Sequence, residues 1–179
     1  MKRLLRDESG FTLVELTVAA AIMLVVVGAL SNVFVSGLRA GTTSNARLTA
    51  QQNVHAALDK LEYEARCARS ATLLSGGAGV HLDIPAWCAH ASGDVSWCVD
   101  GTALVRAAAT DCTGTTQGFV DNVSSATPFC LQTVTGARPQ LVVSLTVSPD
   151  GNAGDSSSAT DEIAMRNADY ATSTSAACP

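Results

Sequence analysis

The chain has 179 residues, a formal net charge of −5 and only 4% aromatic residues. That length allows one domain of ordinary size with a terminal appendage. The negative balance argues against a sequence-independent grip on nucleic acid, so no direct nucleic-acid binding is expected, and so few rings make a large aromatic-lined pocket an unsuitable expectation.

Residues 1–10 carry Lys2, Arg3 and Arg6, then Asp7 and Glu8. Residues 11–30 contain a single charge, Glu15, and the next is Arg39. About 20 apolar residues at 1.5 Å rise per residue span a ~30 Å hydrocarbon core. Basic residues ahead of such a run keep the N-terminus cytoplasmic and send the rest of the chain across the membrane. A secreted alternative reads Ala29-Leu30-Ser31 as a small-x-small peptidase site, with a cut near Ser31.

A carboxylate inside hydrocarbon costs roughly 2.5–3.5 kcal/mol. Glu15 is therefore either functional or close enough to the cytoplasmic interface to reach water. The local sequence Gly10-Phe11-Thr12-Leu13-Val14-Glu15 resembles the cleavage and methylation site of type IV prepilins, including the pseudopilins of type II secretion. In that family a membrane peptidase cuts after the glycine and N-methylates the new terminal residue, usually phenylalanine. A carboxylate stands at the fifth position after the cut. The resemblance implies a cut between Gly10 and Phe11, with Glu15 as the assembly acid. The freed α-amine of Phe11 is largely protonated at neutral pH, and opposite charges held together in hydrocarbon lower each other's desolvation cost. Glu15 lies one turn from Phe11, so the pair can form within one chain or with a neighbouring subunit. The resemblance implies the second arrangement, in which Glu15 fixes axial register.

Apolar positions return at Leu48, Val54, Ala57, Leu58, Leu61, Ala65 and Ala68, the i, i+3, i+4 recurrence of an amphipathic helix. Gln51, Gln52, Asp59, Lys60, Glu62 and Glu64 fill most of the other faces. One helix is expected from about residue 11 to about residue 70. Gly37, Gly41, Thr42 and Thr43 have poor helix propensity and mark either a bend or a harmless weak spot.

The cluster Ser75-Gly76-Gly77-Ala78-Gly79 is expected to end the helix. Strands are expected at 80–84, 95–99, 103–106, 118–123, 141–147 and 161–167, with Asp100-Gly101 as a hairpin turn. An antiparallel sheet packed on the amphipathic half of the helix would bury both apolar faces. The fold expected is α+β: residues 1–10 a leader peptide, 11–38 the membrane half of the helix, 39–72 its amphipathic half, and 73–179 a β-rich head outside the cytoplasm. The order of Trp97-Cys98-Val99-Asp100-Gly101-Thr102-Ala103-Leu104-Val105-Arg106, residues 119–123 and Ile163-Ala164-Met165-Arg166-Asn167 resembles the J/W class of minor pilins and pseudopilins.

Six cysteines, Cys67, Cys88, Cys98, Cys112, Cys130 and Cys178, all follow the apolar run. No Cys-x-x-Cys occurs, so the even number reads as three disulfides in an oxidising compartment. Six cysteines allow 15 connectivities. Proximity in sequence, and the need to anchor the C-terminus, suggest Cys88 with Cys98, Cys112 with Cys130, and Cys67 with Cys178.

Other constellations are weaker. His81, Asp83, Cys88 and His90 lie close in sequence, but a disulfide-bonded Cys88 would spoil a metal site there. Asp150, Asn152 and Asp155 have the flavour of a calcium loop without the closing glutamate of an EF-hand; otherwise the stretch through Ser156-Ser157-Ser158 is a flexible turn. No nucleophile elbow, P-loop or dinucleotide fingerprint occurs, and no enzyme site is visible. No metal or other cofactor is expected.

The resemblance implies a minor pilin or pseudopilin. Its partners would be other pilin-type subunits, the prepilin peptidase/methyltransferase and the assembly platform of the inner membrane. It would wait in the cytoplasmic membrane, N-terminus inside and head outside, and then enter an extracellular or periplasmic filament. The alternatives are a membrane-anchored binding domain independent of any filament, and the secreted protein cut near Ser31.

Overall fold

The computed structural model describes residues 11–89, 91–149, 156–171 and 178. The leader, including Gly10, and the candidate ligands His90, Asp150, Asn152 and Asp155 lie outside the described residues. The chain divides into two units, Met1–Ser44 and Asn45–Pro179. One helix, α1, runs Leu13–Cys67.

In the first unit α1 is apolar nearly all round, and residues 11–42 are exposed on every face. A helix with such a surface needs an apolar surrounding. Helix geometry persists through residues 37–43, so the glycine and threonine patch does not end the helix. The hydroxyls of Ser36 and Thr42 donate to the carbonyls of Asn32 and Arg39 within the preceding turn.

In the second unit the ridge Val54, Ala57, Leu58, Leu61, Ala65 and Ala68 is buried. It meets two antiparallel meanders. Five strands pair in sequence order: β1 (Ser70–Leu74), β2 (Gly79–Ile84), β3 (Gly93–Asp100), β4 (Ala103–Ala107) and β5 (Thr116–Val120). Three more follow: β6 (Phe129–Gln132), β7 (Gln140–Val147) and β8 (Ser157–Ala164). Alternation aims Val80, Leu82 and Ile84 of β2, Val95 and Trp97 of β3, and Leu141, Val143 and Leu145 of β7 into one core with the helix ridge. Fully burying a side chain such as Leu61 contributes about 1.5–3 kcal/mol. Trp97 also packs on Phe119, ring centroids 4.8 Å apart.

The expected end of the helix is corrected. α1 stops at Cys67, and the Ser75-to-Gly79 cluster is instead the turn between β1 and β2. Gly77 has φ +103°, and a Cβ there would lie 2.6 Å from the Phe129 carbonyl oxygen, which explains the glycine. The hairpin after Asp100 forms as expected. Asp100 pairs with Ala103 across Gly101-Thr102, and φ of +61° at Gly101 alone is the type II′ pattern. Strands β1 and β6 were not expected. Strand β8 begins at Ser157, inside the stretch expected to be a flexible turn, and ends at Ala164, three residues short of the expected end.

The disulfide pairing is also corrected. The bridges are Cys67–Cys88, Cys98–Cys112 and Cys130–Cys178, with Cα separations of 6.4, 6.2 and 5.8 Å. Ser70 pairs with Asp83, so the far end of β2 returns to the end of α1 and carries Cys88 to Cys67. Cys98 follows the inward Trp97 and therefore faces the outer side of the sheet. The loop after β4 covers that side, with the Ser96 hydroxyl donating to the Ala109 carbonyl at 2.8 Å, and delivers Cys112. Cys130 lies between the inward Phe129 and Leu131 and meets Cys178 on the other face of β6.

Candidate assembly site

At its start α1 is closed by a capping box. Thr12 is the N-cap and Glu15 the third helical residue. The Glu15 N–H donates to Thr12 Oγ1 at 3.3 Å, and the Thr12 N–H donates back to Glu15 Oε2 at 3.3 Å. The Thr12 hydroxyl also donates to Glu15 Oε2 at 3.2 Å. Reciprocal bonds of this kind satisfy two N–H groups that the first turn cannot pair. They also place a negative charge at the positive end of the helix dipole. The Glu15 carboxylate thus sits beside the residue that follows Phe11. Phe11 itself is 85% exposed.

The other end of α1 is locked by Glu64, a carboxylate expected on a face other than the apolar one. Glu64 is fully buried. Trp97 Nε1–H donates to Glu64 Oε2 at 2.8 Å. Arg106 Nε donates to Oε1 at 2.9 Å and to Oε2 at 3.1 Å, and Arg106 Nη2 lies 2.9 Å from Oε1. Lys60 Nζ is 3.5 Å from Oε1 at the partly open edge. A buried charge persists only when paired and hydrogen-bonded in this way. A signal was present in the sequence: Glu64 lies three residues beyond Leu61, on the apolar ridge.

The helix C-terminus is closed from the last motif. Asn167 Nδ2 donates to the carbonyls of Arg66 and Cys67 at 3.3 and 3.1 Å, which satisfies acceptors left over by the final turn. Arg138 Nη1 donates to the Arg166 and Ala168 carbonyls, and its guanidinium lies 5.1 Å from the Tyr170 ring. Trp97, Arg106 and Asn167, distant in sequence, therefore converge on the last turns of one helix.

Other candidate groups do not assemble. Cys88 is bridged to Cys67, and His81 Nε2 pairs with Asp94 Oδ1 at 2.9 Å. Among the described residues no three His, Cys, Asp or Glu side chains are grouped to hold a metal ion. Asp111 accepts from the Thr113 hydroxyl at 2.7 Å and the Thr113 N–H at 3.0 Å, and these bonds hold its pKa below the ordinary carboxylate value.

Residues 5–31 match the family described as the prokaryotic N-terminal methylation motif. No curated protein and no solved structure matches the chain. The motif supports a type IV pilin-like or pseudopilin subunit in general terms. The apolar stretch that it covers begins a helix long and apolar enough to cross a membrane, consistent with anchoring there.

Proposed function

We propose that this chain is a prepilin-type structural subunit, cut after Gly10, N-methylated on Phe11 and assembled into a type IV pilus or type II secretion pseudopilus. The observation that carries this reading is the methylation motif at residues 5–31, set on a helix whose following residues expose apolar side chains on every face. In the membrane those faces meet lipid. In a filament, helix–helix contacts replace the lipid, and the Glu15 carboxylate meets the Phe11 amine of a neighbouring subunit. Thr12 holds that carboxylate at the helix start. The chain is a substrate of a peptidase and methyltransferase and performs no catalysis of its own. Placement among the minor subunits of the J/W type is supported by the convergence of Trp97, Arg106 and Asn167 on α1, because the motifs behind that resemblance supply all three residues.

The intact mass of the protein recovered from its native membrane tests the reading. A chain beginning at N-methyl-Phe11 is expected, and Glu15→Ala is expected to leave that processed N-terminus unchanged while abolishing recovery in filaments. A chain beginning near Asn32 would overturn it in favour of a secreted domain. An uncut chain, or normal function of the Glu15→Ala protein outside any filament, would leave a membrane-anchored binding domain.

A further inference from the structure

A cavity of about 540 Å³ runs between α1 and β8. One wall is a single face of the helix, with Ala50, Val54 and Leu58 as an i, i+4, i+8 stripe flanked by His55 and Asp59. The other wall is made by residues 157–161 of β8, with Val147 of β7 behind Ser157 at one end. Five consecutive residues line the same cavity, whereas a strand turns only alternate residues to one face. The cavity therefore views β8 edge-on. In the order β6-β7-β8 this strand is terminal, and its only strand partner among the described residues is β7. A terminal edge presents a row of backbone donors and acceptors ready for another strand.

The two walls match in length. Residues 50–59 of a helix span about 14 Å at 1.5 Å per residue, and residues 157–161 of a strand span about 13 Å at 3.3 Å per residue. Both fit about four residues of extended chain. The walls also carry a charge preference, since Asp59 and Asp161 both line the cavity and, among the described residues, His55 is the one basic side chain that lines it with them. The stripe opposite the strand edge is apolar, and Ala50 is its smallest side chain.

We propose that this slot receives an extended segment of a partner polypeptide, which adds a fourth strand beside β8. Its side chains facing α1 are small or β-branched, and it carries a Lys or Arg that pairs with Asp59 and Asp161. Main-chain hydrogen bonds to β8 supply affinity, and the apolar stripe and the two carboxylates supply selectivity. This assignment is independent of whether the N-terminus is processed.

The test uses the full chain with its disulfides intact in detergent micelles and two synthetic peptides, Ac-Thr-Val-Thr-Val-Thr-Lys-Thr-NH2, whose two Val and one Lys share a face, and its counterpart with Glu in place of Lys. Hydrogen exchange is read at residues 157–161 and at β5, the terminal strand of the other sheet. The cationic peptide is expected to slow exchange at 157–161 and leave β5 unchanged, and the anionic peptide to do neither. Ala50→Trp, which fills the slot, is expected to abolish the effect. Asp59→Lys with Asp161→Lys is expected to weaken the cationic peptide at least about tenfold and admit the anionic one. No protection at about 1 mM peptide, equal binding of the two peptides, or protection at β5 instead would overturn the proposal on the wild-type chain alone. Exchange at 157–161 that slows with protein concentration in the absence of peptide would assign the slot to a second copy and overturn it as well.

Discussion

Replacing Glu64 by alanine removes the one acceptor on which Trp97 and Arg106 converge. Arg106 is only 17% exposed, so its guanidinium would be left buried with neither its bidentate partner nor full access to water. Removing one member of a buried ion pair costs about 3–5 kcal/mol, and the orphaned Trp97 N–H lies within that loss. Lys60, 36% exposed and 3.5 Å away, contributes less than about 1 kcal/mol, as exposed pairs do. At a urea slope of about 2 kcal/mol per M, the Glu64→Ala midpoint should fall by about 2 M. Trp97 is buried and Trp87 is 64% exposed, so loss of the buried tryptophan emission reports unfolding of the head. Glu64→Gln keeps an acceptor for Trp97 but loses the charge, and should cost about 1.5–3 kcal/mol. The double replacement Glu64→Leu with Arg106→Leu should recover the part of the alanine loss that comes from the orphaned guanidinium, because apolar residues of similar volume often substitute for a buried pair at little cost, and should retain only the cost of the unpaired Trp97 N–H. A Glu64→Ala protein within about 1 kcal/mol of wild type, or a double variant as unstable as the single one, would refute this account of the clamp.

Gly79→Ala would place a Cβ 2.7 Å from Cys98 Sγ and 3.0 Å from the Trp97 carbonyl oxygen; thermal unfolding should show a loss of about 1–3 kcal/mol, whereas Gly118→Ala, with nothing within 4 Å, should be close to neutral. Asn167→Ala should cost about 1 kcal/mol and speed hydrogen exchange in the last turn of α1, and unchanged exchange there would exclude its capping role. The depressed pKa of Asp111 favours its ionised form in the folded chain. Its contribution to stability is present above the ordinary aspartate pKa and is lost as pH falls through the lower folded value. Thr113→Val should therefore raise the Asp111 midpoint in an NMR titration, and an unmoved midpoint would rule out the hydroxyl as the main cause.

How much could be read in advance depended on whether a feature is local. The run around Glu15, the alternation of β7 and the turn after Asp100 each carry their signal within a few residues, and each was legible. Strands β1 and β6 are short and exist through their pairing, Ser70 with Asp83 and Phe129 with Val143, which no single window displays. Strand β8 is rich in serine, threonine and alanine, a composition that resembles a loop, and only its register on β7 makes it a strand. Glu64 was misplaced because its chemistry was weighed above its position on the ridge. The disulfides were misjudged because distance along the chain was used where the face of the sheet decides. Cys98 is near Cys88 in sequence but opposes Cys112 across the outer side.

The order of those bridges bears on how the head is made. Cys67–Cys88, Cys98–Cys112 and Cys130–Cys178 join each cysteine to the next along the chain, over separations of 21, 14 and 48 residues, with no loop nested in or crossing another. In a head that emerges into an oxidising compartment in sequence order, Cys67 ahead of Cys178, an oxidase that links each thiol to the last one to appear produces this connectivity in a single pass. Cys88 arrives while Cys67 is its only available thiol, and Cys98 arrives when both are already taken. Thiol–disulfide exchange, which runs over seconds to hours, is then not needed to correct mispairs. Maturation of this head would call for an oxidant but little help from an isomerase.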